Sequence, residues 1–368
     1  MNIFDKLKND HVLVQLSGGK DSIAALCKLL EHNISCQAIH FTHKWCYQIP
    51  TREAERICRE FGVELEIQDV TDEISKVFLN GFRGRPCRVC KGVMDRKTAA
   101  YAEKINASCI CTGDSRSDRT LFRRLTNVNS IEDMYINRYF NASFELPANL
   151  RVFRPLAEMD NEDVLNYLFA NGIKVRRVGD TGDKYFEYSR EGCPLQFKDY
   201  GAEYTAELME QLKYYNEKCS AYAAEHGFRA SVHLPGRFIV TIPAGHEEEV
   251  RTAIGIDKPE IPKHDTVYAY LIFADISKTL KDNEEILNDM MKRVCERLEI
   301  EILKEHYRYF ALVNGSLTYT LTASSGLTIC LVQNNRISCT LLGNIIKELF
   351  HNDCYSISET VSEEHSHE

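Results

Sequence analysis

Apolar positions divide the first half of the chain into alternating elements. Val12-Leu13-Val14-Gln15-Leu16 is an almost unbroken apolar run, the pattern of a strand covered on both faces. Segments 36–41, 64–67 and 109–112 are three more candidate strands. Helical spacing predicts helices over 22–31, 51–61 and 92–106. Strands alternating with helices imply a parallel sheet covered by helices, with a ligand at the carboxyl ends of the strands. A further helix is expected over 161–170, capped by Asp160, and a longer one over 203–226 with Leu208, Leu212, Tyr215, Cys219 and Tyr222 on one face.

The pattern changes after His233-Leu234-Pro235-Gly236. Strands are expected at 237–242, 267–273, 309–313, 317–322 and 327–332, with a turn at Asn314-Gly315 and helices at 282–298 and 341–350. The fold class is therefore α/β, a parallel-sheet domain over 1–200 followed by a smaller α+β domain over 235–358. Residues 201–234 read as a helical linker, and the polar segment 359–368 as a disordered tail.

Composition narrows the class. With 44% hydrophobic and 27% charged residues among 368, the chain is an ordinary soluble globular protein. It has no apolar run long enough for a membrane span, and its first residues do not read as a signal peptide. Fourteen cysteines without a secretion signal then imply a reducing compartment, and the expectation is a cytoplasmic enzyme with no membrane partner. Charge is uneven, with a formal balance of about +1 over residues 1–200 and about −10 over 201–368. Residues 81–124 alone carry about +7, which suits a phosphate backbone.

The first candidate site is Ser17-Gly18-Gly19-Lys20-Asp21-Ser22, between the first strand and the first helix. Two glycines let backbone amides approach an anion, the helix start adds unpaired N–H groups, Lys20 supplies positive charge, and Ser17 and Ser22 supply hydroxyls. The spacing is not that of a Walker loop. The second is Cys87-Arg88-Val89-Cys90, crowded by Arg83, Arg85, Arg88 and Lys91, whose charge favours thiolate. A third cysteine, Cys193, lies in Gly192-Cys193-Pro194, an expected exposed turn. Two thiols at this spacing can share a metal or cluster or form a redox pair. Zinc normally requires four protein ligands, whereas three cysteines suit a [4Fe-4S] cluster with one open iron.

The remaining cysteines read as core: Cys109 and Cys111 on one strand, Cys27 in the first helix, Cys330 and Cys339 in C-terminal strands. After the fourth strand, Gly113 permits close approach of backbone. Asp114 and Asp118 are candidates for Mg²⁺ or a ribose hydroxyl, and Arg116 or Arg119 for a phosphate. Arg154 precedes the 161–170 helix and is a further candidate. His40 and Thr42 end the second strand on the nucleotide side.

The hexapeptide Ser17–Ser22 resembles the PP-loop of the ATP pyrophosphatase superfamily. Together with Cys87-x-x-Cys90, Thr112-Gly113-Asp114 and Arg154-Pro155-Leu156, it occurs in the order found in PP-loop sulfurtransferases, so the chain resembles the tRNA 2-thiocytidine and 2-thiouridine synthetases over about residues 10–200. The resemblance implies ATP and Mg²⁺ as cofactors, adenylation of a carbonyl oxygen, and replacement of that oxygen by sulfur. It implies either a [4Fe-4S] cluster on Cys87, Cys90 and Cys193 or, with no cluster, a persulfide route through the same cysteines. Implied partners are tRNA or a small-molecule substrate and a sulfur donor such as a cysteine desulfurase or free sulfide; a homodimer is compatible with it. Three rivals stay open: thionation of a small molecule, which the acidic C-terminal part favours, an adenylyl sulfate reductase-like enzyme, and a nucleotide sensor.

Overall fold

The structure is a computed structural model that describes residues 3–116, 131–141, 144–175, 193–199, 201–226, 230–236, 238–240, 246–256, 266–274, 284–302, 316–322, 326–333, 337, 339–350 and 355–363. Its described residues form two compact units, one of Met1–Thr112 with Gly172–Lys263, the other of Gly113–Asn171 with His264–Glu368.

In the first unit, β1 (Val12–Gln15) is followed by α1 (Lys20–Glu31), β2 (Cys36–Thr42), α2 (Ile49–Phe61), β3 (Leu65–Asp69), α3 (Thr71–Phe78), α4 (Pro86–Lys104) and β4 (Cys109–Cys111). The apolar run makes β1 a central strand: Val12, Leu13 and Val14 are wholly buried. β1 pairs in parallel with β2, Val12 opposite Cys36, and with β4, Val12 opposite Cys109. β2 pairs in parallel with β3, Ala38 opposite Leu65. The order β3-β2-β1-β4 reverses direction at β1, and such sheets hold ligands outside their carboxyl ends at that point. This is the expected α/β parallel-sheet fold.

Two boundaries differ from expectation with consequences for chemistry. α4 begins at Pro86, not near residue 92, because proline at a first helical position gives up no hydrogen bond there. Cys87 and Cys90 therefore occupy the first two turns of a helix. Helix Ala206–Glu225 is no linker. Its Leu208, Met209, Leu212 and Cys219 lie in one buried cluster with Trp45, Val70, Ile74, Phe78, Cys90 and Val93, so burial ties it to the α/β part. Strands Ser231–His233 and Phe238–Val240 pair antiparallel, and Val232, Ile239, Val250 and Ile254 join the same cluster. The break at residue 235 accordingly falls inside the first unit.

The second unit contains helix Asn161–Ala170, capped as expected by Asp160, whose carboxylate accepts from the Glu162 and Asp163 amides. It also contains a five-stranded sheet in the order Glu301–Ile302, Ser316–Thr322, Gly326–Gln333, Thr266–Ala274, Tyr355–Glu363. Leu287, Met291, Leu342 and Ile345, from helices Glu284–Leu298 and Cys339–Phe350, pack with Tyr270, Ile272, Leu317 and Ile329 in one cluster. The last strand runs into the segment expected as a tail; Val361 pairs with Tyr268 and Glu363 with Thr266. Alternation in Ser-Ile-Ser-Glu-Thr-Val supports that pairing. Cys339 opens a helix and lies in no strand. The strand expected at 309–313, the turn at Asn314-Gly315 and residues 364–368 lie outside the described residues. Among the described residues, no helix is long and apolar enough to cross a membrane.

Buried Asn216 ties the long helix to its neighbour: its amide donates to the carbonyls of Leu212 and Val232, both at 2.9 Å, and its Oδ1 accepts from the Val232 amide at 2.8 Å. Asn216→Ala orphans the Val232 backbone pair and is expected to cost about 2–3 kcal/mol, read as a lower urea midpoint with an unchanged slope.

Candidate functional site

The turn after β1 is held open by its own hydroxyls. Ser22 Oγ donates to the Gly19 carbonyl at 2.9 Å and accepts from the Ser17 amide at 3.1 Å. With its hydrogen so used, Ser22 Oγ accepts from Ser17 Oγ at 3.0 Å, and Ser17 Oγ in turn accepts from the Gly19 amide at 3.4 Å. Gly18 takes φ +79°, and a Cβ there would meet the Pro50 carbonyl oxygen at 2.1 Å, so only glycine fits. No side chain caps α1 at Gly19, which leaves the helix start with amides and dipole directed at an anion. Lys20 lies beside the Asp21 carboxylate.

His40 and Thr42 hold this edge together. The buried His40 ring bonds the Leu16 carbonyl through Nδ1 at 2.8 Å and Thr51 Oγ1 through Nε2 at 3.0 Å. A carbonyl only accepts, so Nδ1 carries the hydrogen and neutral Nε2 accepts. The ring pins the phosphate turn to the start of α2, with both nitrogens engaged. Burial lowers its pKa, and burial lowers that of His43 to about 4. Thr42 Oγ1 lies 3.1 Å from Cys46 Sγ, which also accepts from the His43 amide at 3.4 Å.

Cys90 and Cys193 pack at one apolar cluster, and the Cys87 and Cys46 sulfurs lie near enough to influence both electrostatically. Cys87 is exposed on the first turn of α4, Cys90 is buried one turn on, and Cys193 is half-buried against the cluster that holds Cys90, Leu195 and Tyr204. Burial first, then the Cys87 sulfur, pushes Cys90 up to about 12; Cys46 acts in the same direction. Burial, followed by the Cys90 sulfur, holds Cys193 well above the ordinary thiol range, with Cys87 and Cys46 adding to it. The thiolate expected from the arginines does not hold at Cys90. Desolvation outweighs charges that point into water, and Arg83 is paired with Glu203. Cys46 belongs to no motif in the sequence; its place four residues beyond Thr42, past the carboxyl end of β2, is the signal that marks it.

Among the described residues, no three His, Cys, Asp or Glu side chains are placed to hold a metal ion. The thiols as placed therefore do not make the three-point seat of a [4Fe-4S] cluster.

Asp114 and Arg154 depart from expectation. Arg154 is wholly buried, its Nε donating to Asp114 Oδ2 at 3.1 Å and its other nitrogens to Asn137 Oδ1 and the Tyr139 carbonyl. The Asp114 carboxylate is thus engaged by a buried guanidinium and is not the solvated side chain expected of the turn. Gly113 lies with them in the second unit. Arg116 is buried there, bonded through its backbone to Met159 and Ile357. Asp118, Arg119, Arg123 and Arg124 lie outside the described residues.

Residues 1–191 match the PP-loop domain family. The chain belongs to that family. It is 29% identical over 250 residues to the uncharacterized protein MJ1016 of Methanocaldococcus jannaschii, covering 65% of this chain and 84% of that one. It is 25% identical to the tRNA-specific 2-thiouridylase MnmA of Syntrophotalea carbinolica, covering 49% of this PP-loop chain and 56% of the relative. A solved structure, the U34-tRNA thiolase NcsA from Methanococcus maripaludis with its [4Fe-4S] cluster, aligns at TM-score 0.38 and 17% identity over 61% of this chain and 72% of that one.

Two outcomes follow. Gly18→Ala is expected to weaken ATP binding about tenfold or more, through backbone strain and the collision with Pro50, read by titration calorimetry on protein whose melting is checked separately. Acidification is expected to destabilise the first unit. His40 and His43 have folded pKa values below the ordinary 6.5, so the unfolded chain binds their protons first. Stability present above pH 6.5 is lost as pH falls below it, for His43 down to about pH 4, at up to about 1.4 kcal/mol per pH unit for each ring. Urea midpoints at pH 7.5 and 5 measure it, and His43→Gln should flatten the difference.

Proposed function

We propose that this chain is an ATP-dependent sulfurtransferase that adenylates a carbonyl oxygen of a tRNA base and replaces that oxygen with sulfur. The observation that carries the reading is the presence, in one unit, of the Ser17–Ser22 phosphate turn and three thiols, Cys87, Cys90 and Cys193, near enough to influence one another. Because α4 leads into β4 against the strand direction, its first turn with Cys87 and Cys90 returns to the carboxyl edge of the sheet, where the phosphate turn also lies. Gln15 Nε2 donating to Thr98 Oγ1 at 3.2 Å ties β1 to that helix.

The α1 amides and Lys20 hold the ATP phosphates and offset the charge that develops as the carbonyl oxygen attacks the α-phosphorus. The bond to the β-phosphate oxygen breaks, and pyrophosphate leaves with that electron pair. Mg²⁺ accompanies ATP in this reading, with its ligands unassigned. Cys87, the exposed thiol, takes the terminal sulfur of a donor persulfide, and the donor leaves as a thiolate. The new persulfide attacks the adenylated carbon and AMP departs. Cys193 then attacks the Cys87 sulfur, which releases the thiocarbonyl and leaves a Cys87–Cys193 disulfide for an external thiol to reduce. Arg85 and Arg88 stand exposed beside Cys87 on the side open to a phosphate backbone. Thionation of a small molecule is the second reading, favoured by the acidity of residues 201–368.

With ATP, Mg²⁺, unfractionated tRNA, a persulfide donor and a reducing thiol, the protein is expected to release AMP and pyrophosphate in equal amounts, and Lys20→Ala to slow this about 100-fold. ADP and orthophosphate as products would overturn the reading. Turnover indifferent to tRNA but stimulated by a free nucleobase would move it to the small-molecule reading.

A further inference from the structure

A buried lysine joins the Cys193 segment to the loop before α4, beside the exposed Arg83–Glu203 ion pair. Lys198 is 9% exposed, and its ammonium donates to three carbonyls: Ala202 at 2.6 Å, Asp199 at 2.9 Å and Arg83 at 3.3 Å. Three acceptors match the three hydrogens of an ammonium group. The Lys198 Nζ also lies 5.0 Å from the centre of the Tyr204 ring. That ring stacks on Phe78 at 4.6 Å, and its hydroxyl donates to the Leu195 carbonyl at 3.0 Å. Arg83 precedes Cys87 by four residues, and Leu195 follows Cys193 by two. Around the other side, the segment is registered by the Asp199 amide on the Leu234 carbonyl at 2.8 Å and the Leu234 amide on the Phe197 carbonyl at 3.2 Å. Lys198 is thus a side chain that reaches from the Cys193 segment to the backbone of the Cys87 loop.

We propose that Lys198, with Tyr204 beneath it, is a positioning residue: it fixes Cys193 within bonding reach of Cys87 by joining the backbone of the 193–202 segment to the loop before α4. The inference rests on the sulfur-transfer reading, in which Cys193 must reach the Cys87 sulfur. It adds a residue that touches neither substrate nor sulfur. A neutral side chain of similar length would take this donor from the Arg83 and Ala202 carbonyls, while the Asp199 carbonyl keeps its bond from the Ala202 amide. Lysine is therefore required for its hydrogens as well as its size.

The test uses the reduced full-length protein and a short bifunctional thiol reagent, with cross-linked peptides identified by mass spectrometry. Two products matter, Cys87–Cys193 across the clamp and Cys87–Cys90 within α4. In Lys198→Met the Cys87–Cys193 product is expected to fall about tenfold while Cys87–Cys90 is unchanged, because α4 does not depend on the clamp. Lys198→Arg, which keeps the charge and several donors, is expected to restore most of it. Should Lys198→Met not fold, the loss of its cooperative melting transition reveals it. Tyr204→Phe, which removes only the hydroxyl on Leu195, then serves in its place, with a decrease of about threefold expected. An undiminished Cys87–Cys193 product in Lys198→Met or, in that second case, in Tyr204→Phe overturns the clamp and leaves the sulfur-transfer reading standing. No Cys87–Cys193 product in the unaltered protein, with Cys87–Cys90 present, overturns both.

Discussion

Parallel pairing of β1 between β2 and β4 is the constraint on which the first unit depends. With Val12 opposite both Cys36 and Cys109, all three strands end at one edge. The chain leaving each strand must turn there, so the phosphate turn follows β1 and the Cys46 loop follows β2 at the same edge. Helix α4 has to run back against the strands to feed β4, which carries its cysteine-bearing start to that edge as well. Phosphate chemistry and thiol chemistry therefore share an edge because of strand direction, with no special contact needed to recruit them. His40 reinforces the arrangement by spanning Leu16 and Thr51 with one ring.

The parts readable in the sequence are those where local pattern and tertiary environment agree. The run at 12–16 could be little but a buried strand, and a Gly-Gly turn before a helical pattern leaves few alternatives. Where the two disagree, the sequence misleads. The start of α4 was hidden because Arg85 to Lys91 looks like a polar loop, and only the proline at its first position marks a helix. Helix Ala206–Glu225 looked like a linker because its apolar face is modest, yet Leu208, Leu212 and Cys219 fill the cluster beneath Trp45 and Phe78. Asp114 and Arg154 are forty residues apart in sequence, so nothing local announces that they neutralise each other in the second unit.

The cysteine site shows which effect wins when burial and charge compete. Arginines at 83, 85 and 88 suggested a lowered thiol pKa, but Cys90 and Cys193 face the apolar cluster, and desolvation raises both. Cys87 alone of the trio is exposed, so the proposed reaction gives the sulfur-accepting role to it and the resolving role to a protected neighbour. An exposed entry thiol backed by buried ones limits stray oxidation at the inner pair, provided the segment carrying Cys193 is held in place.

The central claim, that this PP-loop unit places sulfur on an adenylated base through its own thiols, is tested most directly by following the sulfur. Protein preloaded with ³⁵S persulfide, given ATP and tRNA and then digested to nucleosides, should yield a labelled thionucleoside. That label should disappear without ATP and in Cys87→Ala and Cys193→Ala. Labelled nucleoside formed equally well by both cysteine variants would contradict the account.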